Sequence, residues 1–147
     1  MGRRFKSGCW LQFSREGGLG DRPIRPGSQL VQDLGDFHPL AAAFAAAGAR
    51  VWVTDIDEAA LAACPAAWRR ERVDVADPAA MRGLFGRIEA EWGGLDVLCA
   101  NAGVSGSTAP LEEQDYPAFK ECMDITLGGA VLAAQGALPL MKRARQG

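Results

Sequence analysis

Residues 93–103, Gly-Gly-Leu-Asp-Val-Leu-Cys-Ala-Asn-Ala-Gly, constrain the fold more than any other stretch of the chain. A Gly-Gly stop precedes a mostly apolar run, residues 95–100, that has no helical stripe. Such a run predicts a strand buried on both faces. Beyond its end Ala102 and Gly103 project almost no side chain, so another molecule can approach the backbone there. Ligands of open α/β sheets bind outside the carboxyl ends of the strands. Asn101, Ala102 and Gly103 are therefore the first candidate site residues.

The segments around this strand alternate between helix and strand signals. Leu40, Phe44 and Ala47 lie on one helical face, and Gly48 provides a stop. Residues 49–54, Ala-Arg-Val-Trp-Val-Thr, read as a strand. Asp57 can cap a short helix that Pro65 ends. Residues 72–75 read as a second strand, and Asp77 followed by Pro78 marks a helix start. The stripe Met81, Leu84, Phe85, Ile88 and Trp92 makes that helix amphipathic. After a polar loop, residues 104–115, a long helix is predicted over residues 117–143. Phe119, Met123, Leu127, Val131 and Leu138 are expected to point inward, and Pro139 is a candidate bend. Alternating elements of this kind imply crossover units and a parallel sheet.

Residues 1–39 read differently. Residues 14–28 are rich in Gly, Pro and charge, offer only Leu19 and Ile24 for burial, and are expected to be mobile. Gly18-Leu19-Gly20 is half of a dinucleotide fingerprint, but no strand precedes it and no helix follows, so it reads as a loop. The expected division is an atypical N-terminal segment, residues 1–39, and an organised domain, residues 40–147.

The net charge of -2 gives no field for nucleic acid. Cys9, Cys64, Cys99 and Cys122 form no Cys-x-x-Cys pair, and His38 is the one histidine, so no metal site is expected. Reduced thiols in a cytoplasmic protein are the expectation. The first residues do not fit a signal peptide, and no membrane span is expected.

From about Leu40 onward the chain resembles the short-chain dehydrogenase/reductase family. The matching residues are Phe44 through Val51, Asp55, Asp74-Val75, Leu95 through Leu98, Asn101-Ala102-Gly103, Asp124 through Gly129 and Pro139-Leu140-Met141. This resemblance implies a Rossmann-like, doubly wound parallel sheet, here incomplete. It also implies a nicotinamide cofactor and a small alcohol or carbonyl substrate. It places Asp55 at the adenosine ribose, Asp74 and Val75 beside the adenine, and Ala102 and Gly103 along the cofactor cleft. Asn101 would tie the central strand to its neighbour. A carboxylate at Asp55 would accept both ribose hydroxyls and repel a 2′-phosphate, so NAD is expected over NADP.

Three departures from the family pattern bear on function. The positions of the family's glycine turn before Leu40 hold Val31, Gly35 and Phe37, and the two large side chains would obstruct a pyrophosphate. The family's Tyr-x-x-x-Lys pair and its serine fall beyond residue 147, so no catalytic residue is assigned here. Tyr116 and Lys120 have that spacing, but they precede the residue 124–129 segment and read as a surface pair on one helical face. Thr126 stands where the family has an asparagine in its long helix. Together the departures predict a domain altered upstream by a reading-frame change and shortened downstream. Coding DNA in which neither other frame restores a glycine-rich turn would refute that history. The expected function is a fragment of an NAD-dependent oxidoreductase, inactive alone. The alternative is a non-enzymatic interaction module that pairs with itself through the residue 117–143 helix.

Overall fold

The computed structural model describes Trp10–Ser14 and residues 38–144. The expected mobility of residues 15–28, the Gly18-Leu19-Gly20 loop, Cys9 and the Val31, Gly35 and Phe37 positions lie outside the described residues. In chain order the elements are β1 (Trp10–Ser14), α1 (His38–Ala46), β2 (Arg50–Asp55), α2 (Glu58–Ala63), β3 (Arg69–Arg72), α3 (Pro78–Trp92) and β4 (Val97–Ala100). A single 3₁₀ turn (Leu111–Glu113) follows, then α4 (Tyr116–Met123), a π turn (Asp124–Gly128) and α5 (Gly129–Ala144).

The sheet runs β3-β2-β1-β4. β2 pairs with β3 in parallel, and β1 is antiparallel to both β2 and β4. β2, β3 and β4 therefore share one direction and β1 alone is reversed. β1 is a strand that the sequence reading does not foresee. It fills the gap between β2 and β4, which do not pair with each other.

β2 is the best-covered strand, because successive side chains point to opposite faces. Val51 and Val53 pack with Ala41, Leu61, Cys64 and Trp68 beneath α1 and α2. Trp52 faces the other way, into a larger core with Leu84, Phe85 and Ile88 of α3 and Ala133, Ala137 and Leu140 of α5. Both faces are thus helix-covered, as expected of a doubly wound sheet.

The helix ends are set by local chemistry. The Asp57 side chain accepts from the Ala59 N–H at 2.9 Å and the Ala60 N–H at 3.4 Å, and Asp77 accepts from the Ala79 N–H at 2.7 Å. Each cap contributes about 1 kcal/mol. Gly48 and Gly93 close α1 and α3 with φ of 84° and 74°, a backbone region that favours glycine.

Several expectations are corrected. The strand read at residues 72–75 lies earlier, at Arg69–Arg72, and Asp74 and Val75 fall in the loop beyond it. Its Arg-Arg-Glu-Arg sequence conceals it, because an edge strand tolerates charge that a central strand would not. β4 is shorter than the predicted run and half-buried rather than covered on both faces, because it forms the sheet edge among the described residues. Leu95, just before it, is fully buried. On α1 it is Ala41 that is buried, and Leu40 is exposed.

The long helix is present but rotated from its predicted orientation. Phe119, Met123, Leu127, Val131 and Leu138 are exposed, and Ala133, Ala137 and Leu140 are buried instead. The reason is spacing between helices. Gly129 lies against Val75 and Gly136 against Phe85, so close that even a Cβ would collide. Small residues draw α5 onto α3 and leave the large apolar ones outside. Pro139 sits inside α5 without ending it. Contrary to the sequence expectation, Tyr116–Arg143 (28 residues, with an 18-residue window of mean hydropathy 1.2) is long and apolar enough by length and composition to cross a membrane.

Candidate functional site

β2 and β4 point their carboxyl ends toward the same edge of the sheet, since Thr54 and Ala100 both pair with Trp10. Asp55 ends β2 and is only 2% exposed. One of its carboxylate oxygens, Oδ1, accepts from the Asp57 N–H at 2.9 Å. The other, Oδ2, is buried with no hydrogen-bond partner among the described residues. Burial pushes the carboxyl above its ordinary value, and the N–H groups of Asp57 and Ile56 pull it partly back. A half-satisfied buried carboxylate is costly to keep.

The other expected site residues divide between surface and core. Asp74 is exposed, and its side chain accepts from the Ala76 N–H at 2.9 Å, a turn-closing role. Val75 is buried in the larger core against Gly129. Asn101 is exposed, Ala102 is buried in the same core, and Gly103 is half-buried beside Thr126.

A hollow of about 750 Å³ opens beside them. Its lining comes from Ile56, Asp57 and Glu58 after β2, Arg72 at the end of β3, residues 104–107 after β4, and Ala118, Glu121, Cys122 and Ile125 on the helical side. The structure therefore brings together the segments that directly follow Asp55 and Gly103. The six expected site residues stand next to the hollow in sequence without lining it.

Two contacts hold the loop after β4 in place. The Cys122 thiol donates to the Val104 carbonyl at 3.2 Å, and Thr126 Oγ1 accepts from the Val104 N–H at 3.3 Å. Cys122 and Thr126 are four residues apart, a spacing that puts both on one helical face. That spacing was the available signal for the shared anchoring role of the two residues, which the sequence reading did not assign. Thr126, which stands where the resemblance places an asparagine, thus anchors the Val104 backbone.

Tyr116 and Lys120 do not belong to the hollow. Tyr116 is exposed beside Phe119, and Lys120 is paired with Asp124, which raises its pKa. Among the described residues no group of three or more His, Cys, Asp or Glu is placed to hold a metal ion.

A helix-covered sheet with its crevice beyond the carboxyl ends of the strands is the architecture of the Rossmann class. Comparison with known proteins narrows this. A family model described as enoyl-(acyl carrier protein) reductase matches residues 38–147. The chain is 42% identical over 76 residues to cis-4-hydroxycyclohexanecarboxylate dehydrogenase of Sinomonas cyclohexanicum, covering 52% of this chain and 30% of that one. It is 34% identical over 110 residues to the short chain dehydrogenase/reductase dpmpG of Macrophomina phaseolina, covering 69% and 63%. Among solved structures, a short-chain dehydrogenase from Streptomyces avermitilis superposes with a TM-score of 0.68 at 26% identity, over 78% of this chain and 43% of that one. The chain belongs to the short-chain dehydrogenase/reductase family, and it spans less than two-thirds of the length of these relatives.

Proposed function

We propose that residues 38–144 form the nucleotide-holding half of an NAD-dependent oxidoreductase site, whose complete reaction oxidises a small alcohol or reduces a carbonyl. The observation that carries this reading is Asp55, buried and with one oxygen unpartnered, which directly precedes in the chain three residues, Ile56, Asp57 and Glu58, that line a hollow of about 750 Å³. A ribose hydroxyl would supply the missing hydrogen bond. Asp74, Val75, Asn101, Ala102 and Gly103 would flank the adenosine, with the small side chains of Ala102 and Gly103 leaving room. Negative charge at Asp55 and Asp57 disfavours a 2′-phosphate, which supports NAD over NADP.

NAD, when bound, supplies the hydride acceptor. The contribution of this chain is binding and orientation: Asp55 would accept hydrogen bonds from the ribose hydroxyls, while Thr126 and Cys122 fix the loop at Val104. Tyr116 and Lys120 stand on exposed surface outside the hollow, so no side chain here is assigned the proton transfer. The 147-residue protein is therefore expected to show no turnover of NAD with small secondary alcohols, followed by NADH absorbance. Steady NADH formation proportional to protein concentration would overturn that assignment. We place the protein in the cytoplasm, where Cys64, Cys99 and Cys122 would stay reduced.

A second reading has its own support. Leu111, Tyr116, Phe119, Met123, Leu127, Val131 and Leu138 are exposed along one helical region, more apolar surface than an isolated helix face normally leaves bare. This favours pairing of two copies through residues 117–143. Sedimentation of a dimer that dissociates in a Phe119→Glu/Leu127→Glu variant supports it, and a monomer at all concentrations rejects it.

A further inference from the structure

The loop after β4 is held at both ends. Its start, Val104, is anchored by Cys122 and Thr126. Its far end is held by Gln114, whose side-chain Nε2 donates to the Ser107 carbonyl at 3.3 Å and also to the Ala109 carbonyl. A carboxamide nitrogen carries two hydrogens, so it can serve two carbonyls at once. The Ser107 hydroxyl closes the same bend by accepting from the Ala109 N–H at 3.1 Å.

Between these anchors Ser105, Gly106, Ser107 and Thr108 are exposed, so little apolar burial offsets the entropy of ordering them. Polar contacts from neighbouring elements therefore decide the shape of this stretch. Ser105, Gly106 and Ser107 line the hollow, and Gln114 does not. The backbone of Gln114 is itself fixed. Its N–H donates to the Leu111 carbonyl at 3.2 Å, and the next residue, Asp115, caps α4 by accepting from the Ala118 N–H at 3.3 Å. Gln114 thus ties the loop to the start of α4, the helix that brings Ala118, Glu121 and Cys122 to the same hollow.

We propose that Gln114 is a positioning residue: without touching the ligand, its carboxamide holds residues 105–107 as a preformed wall of the hollow. The identity of the ligand rests on the nucleotide-site reading above, while the clamp itself does not.

Two variants of the whole isotope-labelled chain test it. Gln114→Met keeps the length of the side chain and removes both donors, and Gln114→Glu turns an oxygen toward two carbonyls. Backbone order parameters without ligand are expected to be near the rigid value of about 0.85 for the amides of residues 105–109 in the parent, and below about 0.6 in both variants. The Val104 amide and the amides of α4 should not change, nor should the urea midpoint. A wall in place only a third to a tenth of the time weakens NAD binding by the same factor, so the dissociation constant should rise about 3- to 10-fold. Unchanged order parameters would overturn the proposal, as would loosening that spreads through α4 with a lower urea midpoint. NAD affinity equal to the parent's despite a loosened loop would overturn it too. A parent that binds no NAD would overturn the nucleotide-site reading alone, and the order parameters of the ligand-free chain would still decide whether Gln114 sets the wall.

Discussion

Replacing Gly136 by alanine is expected to destabilise the protein by about 1–3 kcal/mol, the usual cost of forcing extra volume into a packed core. The opposite would be expected on helix propensity alone, since alanine gains about 1 kcal/mol over glycine inside a helix. Packing decides the sign. A Cβ at residue 136 would stand 2.6 Å from Phe85 Cε2 and closer still to Cδ2. Phe85 cannot swing aside, because it is buried in the same core as Leu84, Ile88 and Leu140. Gly136→Leu is expected to unfold the chain outright. Urea midpoints of the two variants against the parent measure this. A Gly136→Ala variant as stable as the parent would mean that α3 and α5 are not held at this distance.

Asp55 carries the second large effect, and its sign depends on pH. The folded-state carboxyl titrates above its ordinary value of 3.8, chiefly because it is buried. Below the unfolded pKa both states hold the proton, and Asp55 has no pH-dependent effect. As pH rises through the folded pKa, the native state is forced to ionise a buried group, and stability falls. Asp55→Asn is therefore expected to be about 1–2 kcal/mol more stable than the parent at pH 7, the scale of relieving a half-satisfied buried group. The difference should vanish near pH 3–4, where the parent is protonated as well. The same variant should bind NAD about 10- to 150-fold more weakly, since a hydrogen bond to a charged acceptor contributes about 1.5–3 kcal/mol. A variant that is less stable at pH 7, or whose advantage does not change with pH, would contradict the burial account. Undiminished NAD affinity would remove Asp55 from the site.

How much of this was legible in the sequence follows from which physical signals are local. The caps at Asp57 and Asp77, the stripe Met81–Leu84–Phe85–Ile88 and the β-branched run of β2 depend on neighbours within a turn or a strand, and the sequence reading places them correctly. The orientation of the long helix was not legible, because hydrophobicity alone favours the larger residues. Close approach of α5 to α3 instead selects glycine and alanine, and that depends on Val75 and Phe85 far away in the chain. β3 was misplaced for a related reason, since its four charged residues are tolerable only at a sheet edge.

The candidate site was legible to within a few residues. Asp55 was read at the end of one strand and Gly103 just beyond the end of another. The hollow is lined by the residues just after them, together with Glu121 and Cys122 from a helix whose approach no local pattern reveals. The reversal of β1 had no local signature at all. Five residues, Trp-Leu-Gln-Phe-Ser, pair equally well in either direction until the neighbouring strands are fixed.

The central claim, that these residues hold the nucleotide end of a dehydrogenase site, is tested most directly by two-dimensional NMR of the isotope-labelled chain titrated with NAD. The account predicts saturable shifts, with one common dissociation constant, in the backbone amides of Ile56, Asp57, Val104 and Ser105. Amides at the opposite edge of the sheet, such as Arg50 and Val97, should stay still. Shifts scattered over the surface, or none at NAD concentrations in the millimolar range where the weakest specific binding is still detectable, would contradict it.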